Sequence, residues 1–343
     1  MADDSQPNSL SLPEVDVDDA ETLNFLRISQ GEDSAPPSCM IRIWSLTKRC
    51  LAAILLLPMR IMCILIICLM IMLLYRVSIC CCGSSKKAAL QCHTAAERMC
   101  LSLAYPLWRV ALWCAGVTWI RVRRPEGFKM QNITIVGNHV TMLDGPLLEV
   151  AFGPITGVAL AWTTKVPVVA TVASAHHVLA VEREGVASSQ SKAKVSPESE
   201  AMEKPKSKTD LIVEYQKLSA TDPRFLPLLI FPEATTKASK CLVKFRTGAF
   251  VAGEPVQPVA VLWPEDVGWV HSLGQHLLDL MTRWWICVDV CVLPPYVPND
   301  DERKNPTLYA QNVQKVIATS MGLKPEQSSL TIGSAELRRL VKK

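Results

Sequence analysis

The stretch IVGNHVTMLDG, residues 135–145, closes an apolar run with Asn138, His139 and Asp144. An imidazole titrates near neutrality, so it can take a proton from a hydroxyl. A carboxylate five residues on can fix its tautomer and steady the cation that forms. The same residues also suit a helix N-cap near Asp144 and a histidine satisfied by its neighbours. Further polar groups follow: Arg183 closing VLAVER, Glu233 and Thr235 in IFPEATTK, and Lys244 and Arg246 in KFRTGAF. These cations suit a phosphate, which a guanidinium can grip through two parallel hydrogen bonds. A lone histidine or arginine at a strand end is more often structural. The combined set is what points to a site.

Those groups need elements to hold them. After Arg124, short apolar runs alternate with longer amphipathic stretches. NITIVG, GVALAW, HVLAVER, RFLPLLIFPE, VQPVAVLW and WICVDVCVLP read as strands. Residues near 143–152, 207–219, 268–283 and 306–321 have helical spacing. Alternation of this kind predicts an α/β fold with a mostly parallel sheet flanked by helices. The strands are almost continuously apolar, as expected when both sheet faces are covered. In a parallel sheet, ligand groups gather beyond the carboxyl ends of the strands, which is where the polar residues above fall.

The composition, 49% hydrophobic and 20% charged, is uneven along the chain. The first forty residues hold nine acidic side chains and one basic one, Arg27. They read as a disordered acidic tail, and the net charge of +4 leaves about +12 for the remainder. LAAILLLPMRIMCILIICLMIMLLY, Leu51 to Tyr75, has Arg60 as its single charge and is long enough to cross a bilayer. Arg60 is placed to snorkel and Pro58 to kink the segment. A second run, LSLAYPLWRVALWCAGVTWI from Leu101 to Ile120, contains Pro106 and Arg109 and suits a tilted or interfacial helix with Trp108, Trp113 and Trp119 at headgroup level. The distribution of Lys and Arg favours a hairpin with both flanks on the cytosolic side, although a single span fits the length.

The expected division is an acidic tail at 1–40, membrane-anchoring helical segments at 41–124, an α/β domain at 125–323 and a C-terminal tail at 324–343. The Ser-, Lys- and Glu-rich insertion at 185–208 reads as disordered. Thirteen cysteines lie mostly inside apolar runs without paired metal spacing, so reduced thiols and no metal are expected. Cys80, Cys81 and Cys82 suit either palmitoylation or a plain apolar helix end. No motif points to nucleic acid.

NHVTMLD resembles the N-H-x-x-x-x-D signature of the glycerolipid acyltransferases that use acyl-CoA, IFPEATT their F-P-E-G-T block, and EPVQPVAV their later proline block. KFRTGAFVAGEPVQPVAV and VLPPYVPNDDERKNPTLYAQNVQKVIATSMGL are similar to the lysophosphatidylcholine acyltransferase branch in particular. The resemblance covers roughly residues 100 to 323. It implies acyl transfer from acyl-CoA, as co-substrate, to the hydroxyl of a lysophospholipid, with no cofactor. His139 would be the base and Asp144 its partner; Asn138, Arg183, Glu233, Thr235, Lys244 and Arg246 would bind substrate. It also implies an endoplasmic reticulum membrane with the domain facing the cytosol, or a lipid droplet.

The chain departs from that pattern in three places. Ala234 replaces the family's glycine, His176 and His177 stand where a glycine precedes the second block, and no EF-hand loop follows the domain, so calcium regulation is not expected. The histidine pair is not spaced like a metal site and reads as packing or surface. These departures keep open a non-catalytic membrane scaffold on the same fold, and an enzyme acting on lysophosphatidic acid or glycerol 3-phosphate.

Overall fold

The computed structural model describes residues 39–81, 90–160, 167–181, 207–234, 236, 242–264, 267–268 and 273–323. Arg183, Thr235, the acidic tail up to residue 38, most of the 185–208 insertion and the tail from 324 lie outside the described residues.

Seven strands form one sheet: β1 (Val117–Arg123), β2 (Thr134–Gly137), β3 (Thr156–Leu160), β4 (Leu179–Val181), β5 (Leu228–Ile230), β6 (Val256–Leu262) and β7 (Ile286–Val292). Their order is β1-β7-β6-β2-β5-β3-β4. All neighbours are parallel except β6 and β7. The mostly parallel expectation therefore holds, with one reversal. Strands β1 and β7 run opposite to the other five, so their starts lie at the rim where β2 and β6 end. Strand β1 was hidden in the sequence by the apolar run into which it merges.

Nine helices accompany the sheet among the described residues: α1 (Cys39–Leu55), α2 (Leu57–Cys81), α3 (Ala95–Cys114), α4 (Asp144–Phe152), α5 (Pro167–Ala175), α6 (Lys208–Thr221), α7 (Leu273–Met281), α8 (Asp300–Lys304) and α9 (Pro306–Ser320). Local chemistry sets several starts. Thr94 with Glu97, Ser207 with Asp210 and Asn299 with Glu302 each form a capping box, and Asn305 caps α9 ahead of Pro306. One sheet face is covered by α4 and α7 through Leu147, Leu148, Ala151 and Leu280. The other is covered by α6 and α9 through Tyr215, Tyr309, Val313 and Ile317.

Helix α2 is apolar on every side, and it is the one described helix long and apolar enough to cross a membrane. Only a narrow stripe of it is buried: Arg60, Ile67, Ile71, Tyr75 and Ser78. That 3-to-4 spacing is one helix face, and it packs on α3 and α5 through Leu101, Ala104, Ala111 and Ala175. Arg60 does not snorkel. Its guanidinium donates to the carbonyls of Met281 at 2.7 Å, Arg283 at 2.6 Å and Trp284 at 3.3 Å, the carbonyls at and just beyond the end of α7. A cation satisfies such carbonyls better than water does once the helix end is covered. Pro58 sits in the first turn of α2, just after the break at Leu56 that divides the apolar run into α1 and α2. Near the other end, the Tyr75 hydroxyl accepts from the Trp108 indole at 3.0 Å and meets His176 Nε2 at 3.0 Å. His176 Nδ1 donates to Ile155 O at 2.7 Å, which leaves Nε2 as the acceptor of the tyrosine proton.

Candidate active site

Strand β2 stops at Gly137, and the close approach of Val259 O explains the glycine: a Cβ there would lie 3.3 Å from that oxygen. Asn138 then replaces strand pairing with its side chain. Its Nδ2 donates to Val261 O at 2.9 Å and its Oδ1 accepts from Val261 N at 2.7 Å, so the amide extends the β2–β6 ladder by one position. His139 follows, with 22% of its side chain exposed.

The turn from His139 to α4 is organised by Asp144, the first residue of that helix and fully buried. Asp144 Oδ2 accepts His139 Nδ1 at 2.9 Å, Val140 N at 2.7 Å and Thr141 N at 2.9 Å. Its Oδ1 accepts the Trp263 indole N–H at 2.7 Å. Four donors and the N-terminal end of a helix satisfy this buried carboxylate. With Nδ1–H donated to Asp144, the neutral tautomer carries its lone pair on Nε2. No group among the described residues hydrogen-bonds that nitrogen. The Phe231 ring stacks on the imidazole at a centroid distance of 4.2 Å and 8° between planes. The ring is thus fixed at one edge by Asp144 and on one face by Phe231, leaving Nε2 as a base that can take a proton.

Glu233 is also fully buried. Its Oε1 accepts His139 N at 3.0 Å and its Oε2 accepts Val243 N at 2.7 Å, tying the 231–234 turn to the base and to the segment after Leu242. Asn138 and Glu233 are the two residues expected to bind substrate that the structure encloses. Both side chains are enclosed and spent on backbone groups, so they hold the site's shape. Lys244 and Arg246 are exposed, and Arg246 N donates to Pro232 O at 2.9 Å, which brings the KFRTGAF segment onto the same turn. Ala234 closes that turn with φ 52° and its N–H on Phe231 O at 3.0 Å.

The histidine pair lies inside rather than on the surface. His176 and His177 are both buried, and His177 has φ 50°. Burial pushes His176 down to about 4, so it is neutral. Glu149 of α4 lies 3.7 Å from His176 Nε2, and burial pushes its carboxyl up to about 8. Trp263 is the participant that the sequence reading missed. It stands 119 residues from Asp144, and the signal was its place one residue past a strand that neighbours β2.

Residues 119–262 match the family model "Acyltransferase". Lysophospholipid acyltransferase LPCAT4 of Xenopus tropicalis is 29% identical over 238 residues, which cover 67% of this chain and 42% of that protein. Its human counterpart is 28% identical over 235 residues, 66% of this chain and 41% of that protein. Lysophosphatidylcholine acyltransferase 2 of Danio rerio is 36% identical over 126 residues, 35% of this chain and 24% of that protein. The chain thus matches less than half the length of these relatives. Among solved structures, the 1-acyl-sn-glycerophosphate acyltransferase PlsC of Thermotoga maritima aligns with a TM-score of 0.43 at 17% identity, covering 74% of this chain and 96% of that one. Residues 119–262 are thus similar to the acyltransferase family, and a longer stretch of the chain is similar to proteins named lysophospholipid and lysophosphatidylcholine acyltransferases.

Proposed function

We propose that the chain is an acyl-CoA-dependent O-acyltransferase acting on a lysophospholipid, with lysophosphatidylcholine the preferred acceptor. The observation that carries this reading is the His139–Asp144 pair at the end of β2, held at 2.9 Å with Nε2 unbonded among the described residues. His139 Nε2 takes the proton of the acceptor hydroxyl as its oxygen attacks the thioester carbonyl carbon. The tetrahedral adduct then expels the coenzyme A thiolate, which recovers the proton from the imidazolium; the products are an ester and free coenzyme A. Asp144 keeps the tautomer and stabilises the transient cation. A thioester is already activated, so no metal or covalent enzyme intermediate is required.

Arg183, Lys244 and Arg246 are assigned to the phosphate of the acceptor, with Thr235 beside the glycerol. The relatives' names supply the choice of acceptor. The bilayer is the natural source of such a substrate, and α2 is its attachment. Arg60 and Tyr75 are both bonded to groups of the α/β domain although about 22 Å of helix separates them. A helix pinned at both places lies along the domain and enters one leaflet with it. The endoplasmic reticulum membrane, with the domain on the cytosolic side, is the assigned location; a lipid droplet monolayer suits the same geometry.

The test is acyl transfer in membranes carrying the chain, with labelled acyl-CoA and a panel of lysophospholipids. His139→Ala should lower the rate roughly a hundred- to ten-thousand-fold. Lysophosphatidic acid or glycerol 3-phosphate as the best acceptor would change the substrate assignment. No product above the variant with any acceptor would leave a membrane scaffold on an acyltransferase fold.

A further inference from the structure

Asp144 presents its two oxygens differently. Oδ2 serves the imidazole and two backbone N–H groups, whereas Oδ1 has one bond, from the Trp263 indole at 2.7 Å. Trp263 is 5% exposed and lies one residue past β6. The Asn138 amide locks Val261 to β2, and strand alternation puts residue 263 on the same side as 261. The register of β6 therefore aims the indole at the carboxylate. An indole N–H donates, never accepts and does not titrate in water's range. It can hold Oδ1 without competing for the proton that His139 must gain and lose. Two other titratable groups among the described residues lie near the pair. His276 of α7 is buried, and desolvation lowers its pKa. Glu233 meets His139 through the backbone N–H and not through the ring.

We propose that Trp263 is a positioning residue for the base: it holds the Asp144 carboxylate so that Oδ2 stays aimed at His139 Nδ1, and it limits how strongly that carboxylate retains the imidazolium proton. The role rests on the reading of His139 as base. Without the indole, Oδ1 is a buried charged acceptor with no donor, and more negative charge stays on the side facing the imidazole. The imidazolium that the carboxylate faces then holds its proton to higher pH.

Trp263→Phe keeps an aromatic ring and removes the donor. Two readouts separate this role from the function on which it rests. The first is modification of His139 by diethylpyrocarbonate followed across pH by peptide mass, which needs no acyl transfer. The midpoint of that profile should move to higher pH in the variant. The second is turnover: kcat should fall roughly ten- to a hundredfold, the loss expected for one hydrogen bond to a charged group. KM for both substrates should change less than about twofold, since the indole touches neither of them. If the Trp263→Phe variant does not fold, benzothienylalanine in place of Trp263 removes the same N–H at nearly constant shape, and the two measurements are repeated with it. An unmoved modification midpoint overturns the proposal, whatever the activity. A shifted midpoint in a chain that transfers no acyl group supports the positioning and overturns the enzymatic reading instead. A fall in kcat with an unmoved midpoint marks a packing role and overturns the proposal.

Discussion

An alanine at φ 52° places its Cβ against the following carbonyl, a conformation that costs a non-glycine residue about 1 kcal/mol. The family pattern has glycine at 234, and the turn from Phe231 shows why. Ala234→Gly should raise the melting temperature by about 2–4 °C, read by scanning fluorimetry in detergent; an unchanged or lower value would mean that the turn gains more from the methyl group than the backbone loses. The sequence marks position 234 as a departure but leaves the sign of φ open, because φ depends on what the turn must connect. His139 and Asp144 were legible for the opposite reason. They lie within one strand–turn–helix unit, so spacing alone brings them together. The backbone bonds of Asn138 and Glu233 were not legible, because a polar side chain at a strand end can face either a ligand or a neighbouring backbone. Only the adjacency of β6, and of the segment beyond Leu242, decides which.

Helix α4 carries Asp144 at one end and Glu149 five residues on, facing His176 and so the contact with α2. Burial raises the folded-state value of Glu149 to about 8 from 4.5. The folded chain thus holds that proton more tightly than the unfolded chain. Its contribution is complete below pH 4.5 and is lost as pH rises toward 8. At pH 7 the loss amounts to roughly 3 kcal/mol. Glu149→Gln should therefore stabilise the protein at about pH 7.5 and do little near pH 4.5, measured as paired melting temperatures; equal gains at both values would place the effect elsewhere than ionisation. Length and apolarity made α2 readable, since a bilayer-long run needs no context. Its buried stripe was not readable, because residues of equal hydrophobicity ring the helix. Arg60 looked like a snorkelling charge for the same reason: the carbonyls that receive it come from a helix more than 220 residues away. Strand β1 was lost where its Trp and Arg alternation joins a helix of similar composition, and α5 has too many β-branched residues to announce a helix.

Reversal of β1 and β7 brings their first residues to the rim that holds His139, and four exposed tryptophans lie at these strand starts and the helix end leading into β1. Trp119 and Trp285 are each 69% exposed, Trp113 is 52% and Trp284 is 37%. Arg121 and Arg123 stand on the same face of β1 as Trp119, paired with Asp289. Indoles favour the boundary between headgroups and acyl chains. In vesicles containing lipids brominated just below the headgroup, tryptophan emission should be quenched, and Trp119→Phe with Trp285→Phe should remove much of the quenchable part. Undiminished quenching would place this rim away from the bilayer. Parallel order was foreseeable from the alternation of strands and helices, whereas the single antiparallel pair was not, because both arrangements suit a buried apolar strand. The two attachments of α2 have a mechanical consequence under the proposed attachment. An anchor on a hinge would let the domain ride up and down above the lipids. This one is bolted to its cargo at both ends, like a keel to a hull, so the domain's draught is fixed by how deep the helix floats. The height of Nε2 above the acyl chains is then a constant of the molecule, and acceptors are sorted by whether their free hydroxyl stands at that height.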